Sequence, residues 1–380
     1  MTQGIAGPGT CMYLADQGAD VIKVEEPVGG DPSRSQADDP VLGNNSRSFL
    51  AYQRNKRSLA LDVRRPEGKK VLLQLIEQSD VLVTNMRAAA AARLGIDYAK
   101  LQKLNPRLIY GHITGWGSKG PFAERGGFDR LTQGYAGVMH RRWADGTPVT
   151  AGIWVSDPSV PMLMAYGITL ALYAREKTGR GQKVETSLLQ AAVAMQFNAL
   201  IKVERAKEPF KEDEDTTYGI FKCADERYIN VTALRPQQFV RFAQLLGLDD
   251  VANDRRADDP NLRAEFRKES GPLITKALSE RPSHEWLELL NEADVPASAI
   301  LDRAEVFDQP QIIENEMIVR VEHPQVGPVQ VIGPPVHLSE TPGAVRFPSP
   351  ALGQHTDDVL GEIGYSGGEI AALRDQEVIR

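Results

Sequence analysis

The stretch "GIWVSDPSVPM" (152–162) sets Asp157 between an extended apolar run and a long apolar one, with Pro158 directly behind it. Asp–Pro is a standard helix start, because Asp is a favoured N-cap and proline fits the first helical position. A carboxylate held there is rigid, and the helix dipole favours its charge. Enclosed by apolar residues, such a group can attack an activated carbonyl as a covalent catalyst. A second constellation is basic. "GDPSR" (30–34) and "QRNKRSLALDVRRPEGKK" (53–70) gather Arg34, Arg54, Lys56, Arg57, Arg64, Arg65, Lys69 and Lys70 in a short span of an otherwise acidic chain. Most of these are expected to be solvated surface cations; a subset aimed at one ligand would form a phosphate site. The opening "GIAGPGT" (4–10) is a glycine turn ahead of a helix and a strand, and "GWGSKGPFAERGGFD" (115–129) is a glycine-rich loop. Glycine allows close backbone approach or a hinge, although such loops are also common connectors. "MHRRWADGTPV" (139–149) places His140, Arg141 and Arg142 shortly before Asp157. Cys11 and Cys223 read as small buried residues rather than nucleophiles.

The elements that must position these residues alternate in an α/β manner. Residues 8–18 read as a helix and "DVIKVE" (20–25) as a buried strand. "PEGKKVLLQLIEQS" (66–79) is a helix with proline at its first position, "DVLVTN" (80–85) a strand, "AAAAARLG" a helix ending at Gly95, and "RLIYGHIT" (107–114) another strand. Strand, helix, strand at this spacing means βαβ units and a parallel sheet. "SDPSVPMLMAYGITLALYAREKTGRG" is a long helix whose apolar character on most faces predicts burial. "QKVETSLLQAAVAMQFNALIKVE" is a strand and a further helix. The charged run near 202–216 reads as a solvated linker, and 217–315 as a smaller α/β domain with the strand "RYINVTAL", the helix "PQQFVRFAQLLGL", two more helices and a strand. "VQVIGPPVHLSETPGAV" is an extended return path, and two helical stretches end the chain.

Composition sets the outer bounds. The chain has 380 residues, a net charge of -7, two cysteines and six histidines. The length suggests roughly two to three domains. The acidic balance argues against a nucleic-acid surface or an anionic membrane as partner. No apolar run approaches the roughly 18 residues of a membrane span, and no signal peptide opens the chain. The cysteines lie too far apart for a disulfide framework or zinc motif, no metal site is expected, and a reducing cytoplasm is the expected location.

Taken in order, several of these stretches resemble family III CoA-transferases. They are "AGPGTCMYLADQGADVIKVEEPVGGDPSR", "NKRSLALDVRRPEGKK", "LNPRLIYGHITGWG", "GFD", "AGIWVSD", "KTGRGQKVETSLLQAA", "VPASAILDRAEVFDQPQIIENEMIV" and "GQHTDDVL". The resemblance spans essentially the whole chain. It implies a Rossmann-like large domain with a parallel sheet, built from residues 1–201 and completed by 316–380, plus the smaller domain, in an interlocked homodimer. It implies movement of CoA from an acyl-CoA donor to a free carboxylic acid, with CoA as substrate and no permanently bound cofactor. Asp157 falls on the family nucleophile, acting through a mixed anhydride and an aspartyl-CoA thioester. Gly4, Ile5, Ala6, Arg34, Leu61, Arg64, Asn85, Met86 and Arg93 fall on positions that line CoA. Arg141 would meet a second carboxylate of a dicarboxylic substrate such as succinate, unless 139–149 is only a charged surface loop.

Three departures stand out. The family's opening strand is missing, with only Met1, Thr2 and Gln3 before the glycine turn, which raises the question of where the natural chain begins. The stretch matching the family's glycine-rich lid reads "TALRPQQF", which leaves Gln237 or Gln238 as candidates to face substrate. Phe128 stands where the related racemases carry a histidine. Three other readings stay open on these residues: an α-methylacyl-CoA racemase, disfavoured by Phe128; a nicotinamide-dependent oxidoreductase, suggested by the opening turn with Glu25 and Glu26; and a CoA-binding protein without catalysis.

Overall fold

The computed structural model describes residues 1–35, 42–43, 45–205, 218–257 and 262–380, so the expected linker lies outside the described residues from 206 onward. The chain forms two compact units, Met1–Ile201 with Ile313–Arg380, and Lys202–Ile312. Among the described residues no helix is long and apolar enough to cross a membrane.

The first unit is α/β with parallel sheets. β1 (Val21–Glu25) pairs in parallel with β2 (Lys56–Ala60), and β3 (Val81–Thr84), β4 (Ile109–Thr114) and β5 (Lys183–Ser187) form a parallel sheet in that order. Continuous apolar runs suit strands covered on both faces. Leu82 and Tyr110 join one core, while Val83, Ile109 and Ile113 join another on the opposite face. The period of two along each strand makes this division. The first core packs the helix Pro66–Glu77, through Val71, Leu72, Leu75 and Ile76, against Val359, Leu360, Ile370, Leu373, Val378 and Ile379 near the other chain end. The second core packs the opening helix Ala6–Asp16 and the helix Ser156–Thr178 onto the sheet. Residues 1–3 lie between β1 and β3. The Met1 nitrogen donates to Val83 O at 3.1 Å, and Lys23 Nζ of β1 donates to Thr2 O at 3.1 Å.

Three sequence expectations change. The long helix is not buried on most of its faces. Val160, Met164, Ile168 and Ala171 are buried, but Met162, Tyr166, Leu170 and Tyr173 are 48%, 65%, 49% and 63% exposed. Apolar character all round predicts cover all round, and the described residues cover one side only. The helix after β5 ends at Ala194 rather than running on towards 205. The return path also contains structure: Gly327–Ile332 pairs with Ile318–His323 in an antiparallel hairpin.

The second unit is α/β with an antiparallel sheet. β6 (Tyr218–Lys222), β7 (Tyr228–Thr232) and β8 (Ala297–Ala299) lie in that order. Ile229 and Val231 alternate with exposed residues and face the helices Pro236–Leu245, Arg263–Leu278 and Ser283–Glu292 through Phe239, Phe242, Ile274, Leu278, Trp286 and Leu290.

Candidate active site

Asp157 lies in the first turn of the helix Ser156–Thr178, half-buried. It is not the cap. Asp129, which opens the helix Asp129–Tyr135, caps from outside: its Oδ2 accepts from Ser156 N at 2.7 Å and from Asp157 N at 3.0 Å. A helix N-terminus leaves its first N–H groups without intrahelical partners, and a carboxylate from elsewhere satisfies them as well as a local one. The Asp157 side chain is thereby left free of capping duty. Burial, and then the negative charge of Asp129, push its carboxyl up to about 7. The expected dipole stabilisation of Asp157 is thus outweighed, because its helix terminus already carries an anion.

Proline and glycine shape the surroundings. Pro161 has no N–H to return to the Asp157 carbonyl, and its ring instead packs on the opening helix. A Cβ on Gly9 would sit 2.7 Å from Pro161 Cγ and 3.5 Å from the Tyr52 ring. Gly9 therefore lets the opening helix, the Tyr52 ring and the helix of Asp157 meet at van der Waals distance. Tyr52 ends the helix Arg47–Tyr52, and burial, Tyr13 and the Asp157 charge all raise its phenol. The glycine-rich loop has a similar device at its neck. A Cβ on Gly127 would lie 2.4 Å from Gly115 Cα, so the two backbones touch and deliver Asp129 to its helix start. Trp116, Phe122 and Tyr135 pack edge to face above it.

Of the candidate CoA residues, Arg34 follows β1, Leu61 and Arg64 follow β2, and Asn85 and Met86 follow β3, the strand ends at which open parallel sheets bind ligands. Gly4 N donates to Asp31 Oδ1 at 3.3 Å, which ties the Gly4–Ile5–Ala6 turn to the loop after β1. Leu61 follows β2 and is buried in the core. Asn85 and Gln3 exchange two hydrogen bonds, of 3.1 and 2.8 Å, and Met86 O accepts from His112 Nε2 at 2.9 Å. Arg93 is exposed in the last turn of the helix Ala88–Leu94. Arg64 is exposed and leans on Asp62 at 2.9 Å.

Arg34 is different. It is 4% exposed, gives two 2.8 Å hydrogen bonds to Glu25 and one of 3.1 Å to Pro350 O, and stacks 3.9 Å above Phe49. Its charge is turned into the protein. Burial opposes the Glu25 charge, but Arg34 and Lys23 outweigh it and hold that carboxyl below its usual range. Glu25 is therefore a buried counter-ion of Arg34 rather than an exposed acid at the strand end. Lys56, another member of the basic run, is also interior, with its ammonium on the carbonyls of Pro8 and Tyr52 and on Gln53 Oε1.

Arg141 stands on an exposed turn closed by Val149 N donating to Arg141 O at 2.9 Å. Gln237 belongs to the other unit, exposed in the first turn of Pro236–Leu245, while its neighbour Gln238 is spent on that helix cap, accepting from Arg235 N at 3.2 Å. Sequence reasoning did not reach Asp129, Gln133 and Tyr52 as neighbours of Asp157. The motif Gly127–Phe128–Asp129 was in view, but its third residue carries the information.

Comparison with known proteins identifies the family. Residues 1–356 match CoA-transferase family III. The human succinyl-CoA:glutarate CoA-transferase is 34% identical over 96% of this chain and 84% of its own. A formyl-CoA:oxalate CoA-transferase from Streptomyces coelicolor is 31% identical over 100% of this chain and 97% of its own. The crystal structure of a CAIB/BAIF family protein from Brucella suis superposes with a TM-score of 0.83 at 28% identity, covering 96% and 97% of the two chains. With a family match over most of its length and full-length relatives above 30% identity, the chain belongs to CoA-transferase family III and is a CoA-transferase.

Proposed function

We propose that this enzyme moves CoA from an acyl-CoA donor to a carboxylic acid with Asp157 as nucleophile. An Asp157 oxygen attacks the thioester carbonyl, the C–S bond breaks, and CoA leaves as thiolate. The thiolate attacks the aspartyl carbonyl of the resulting anhydride and expels the donor carboxylate. The acceptor carboxylate then attacks the aspartyl thioester, regenerating thiolate and forming a second anhydride. Thiolate attack on the acceptor's carbonyl yields the new acyl-CoA and restores Asp157. Each step keeps an acyl group activated, so no outside energy source enters. The observation that carries this reading is a half-buried carboxyl on a rigid helix turn, relieved of capping by Asp129. Arg64 and Arg93 are proposed to meet CoA phosphates. Gly4, Ile5, Ala6, Asn85 and Met86 are proposed to line the rest of the CoA. The relatives' names pair CoA with succinate, glutarate, formate and oxalate, which favours short carboxylic acids, with Arg141 as a candidate for a second carboxylate. The exposed face of the long helix suits a homodimer.

Incubation with succinyl-CoA followed by hydroxylamine tests the nucleophile. The peptide containing Asp157 should gain a hydroxamate in the wild type, and none in Asp157→Asn, whose transfer activity should fall at least ~10³-fold, as loss of a nucleophile generally does. Full transfer by Asp157→Asn would sink the reading. A screen of acids with the acyl-CoA products read by mass spectrometry identifies the substrates.

A further inference from the structure

We infer that Asp129, steadied by the buried amide of Gln133, is the positioning residue that aims the Asp157 carboxyl and controls its charge. The inference rests on Asp157 being the nucleophile and goes beyond that reading by naming what governs it. Asp129 is 3% exposed and Gln133 2% exposed. The Gln133 amide nitrogen donates to Asp129 Oδ1, and to Ile153 O at 3.3 Å. Both neighbours are acceptors, so the NH2 end of the amide must face them. The Gln133 oxygen is left over: among the described residues it has no hydrogen-bond partner. A buried amide oxygen without a partner is costly to keep. The site tolerates that cost, and what Gln133 supplies in return is a donor fixed on Asp129. Thr132 adds a second tie, with its Oγ1 2.8 Å from both Ser156 Oγ and Asp129 O. One seven-residue helix thus contributes two side chains, Asp129 and Thr132, to the first two residues of a 23-residue helix, and a third, Gln133, that holds one of them.

The consequence is electrostatic as well as geometric. The Asp129 carboxylate bonds to the Asp157 backbone, so one peptide unit holds the two acids in register. Groups on the other packed elements are weaker or already paired. Tyr52 feels both Tyr13 and Asp157, and Tyr13 feels Arg54 and Asp16. Asp16 on the opening helix is bound by Arg54 and Asn55. Lys56 holds carbonyls. His112 of β4 and Glu185 of β5 face each other at 3.5 Å. Asp129 is the charge that burial and the capping bonds fix beside the nucleophile.

Asp129→Asn keeps an oxygen for the two N–H groups but removes the charge. The acid limb of hydroxamate formation at Asp157 should move down by at least one pH unit, with KM for succinyl-CoA within about threefold of wild type. Carbon-13 NMR of aspartate-labelled protein, with the Asp157 signal assigned by its loss in Asp157→Asn, reads the same shift without any turnover. Gln133→Leu leaves both acids in place and should lower kcat at least tenfold at unchanged KM; Gln133→Asn, with a shorter reach, should lower it too. A folded Asp129→Asn protein whose Asp157 signal titrates as in the wild type would overturn the inference, as would unchanged kcat in Gln133→Leu. An NMR shift in a protein that never forms the hydroxamate supports the pairing and removes the nucleophile reading alone.

Discussion

At the residue scale, Asp157 has the unusual property of being costly to ionise in the folded chain. Its carboxyl titrates at about 7 when folded, against 3.8 for an unperturbed aspartate. Between these values the folded protein holds a proton that the unfolded chain has lost, so stability falls as pH rises from about 4 to about 7 and levels off above. Asp157→Asn removes this penalty. Urea melts should show the variant more stable than wild type at pH 8, by at most about 4 kcal/mol, and nearly equal to it at pH 4. A smaller difference at pH 8 than at pH 4 would refute the assignment. The cationic candidates divide by the same logic. Arg34→Met strands Glu25 inside the protein and should cost about 3–5 kcal/mol, seen as a lower denaturation midpoint. Arg93→Ala should leave stability within about 0.5 kcal/mol and raise KM for acyl-CoA. If Arg34→Met melts like wild type, its charge is not structural. The sequence made Asp157 visible because Asp–Pro marks a helix start. It could not show Asp129 as the cap, because that bond joins residues 28 apart through tertiary packing. Arg34 and Arg93 are alike in type, and only burial separates them.

At the element scale, the opening "GIAGPGT" works as packing as much as ligand contact. Gly9 is where the opening helix touches the ring of Pro161, and proline cannot rotate aside. Gly9→Ala must push the opening helix away from the helix that carries Asp157. Overpacking of this kind costs about 1–3 kcal/mol. The expected result is a lower melting midpoint together with a fall in kcat. Gly4→Ala offers the contrast: a Cβ there meets nothing within 4 Å, but φ of 72° strains the backbone, so stability drops without any displacement of the Asp157 helix. Equal kcat losses in the two variants would show that the Gly9 contact does not aim the nucleophile. Strands β1, β3 and β4 were legible because parallel strands covered on both faces read as short apolar runs. The three residues lying between β1 and β3 were not, since their place is set by a hydrogen bond from Lys23 and by bonds they donate to Val83 and Asn85 rather than by their own pattern.

At the scale of the whole molecule, sequence order hides what the core requires. Val378 and Ile379 are buried against Leu59 and Leu61, and Asp62 N donates to Val378 O at 2.8 Å, so the last turns of the chain complete the unit that the first turns begin. The family resemblance carried that pairing of ends; periodicity alone did not, because a short apolar C-terminus has no distinctive period. The long helix gives the opposite case. Its apolar pattern was plain, but the described residues cover only one side. Met162, Tyr166, Leu170 and Tyr173 recur at spacings of four, four and three, forming one continuous stripe, with Ile153 and Trp154 exposed just ahead of the helix at 63% and 56%. A contiguous apolar surface of this kind on a water-facing helix marks an interface, and a second copy of the same chain presents the same stripe for a two-fold contact. A stable contact of that type needs about 800 Å² from each partner, which charged substitutions in the middle of the stripe would disrupt. Wild-type protein should sediment at twice the 41.8 kDa chain mass. Tyr166→Lys combined with Leu170→Lys should sediment at the chain mass, with far-UV circular dichroism unchanged because both positions face solvent in the single chain. A wild type that sediments at 41.8 kDa would leave the stripe without the occupant assigned to it, and a dimer that survives both lysines would move the contact to another face.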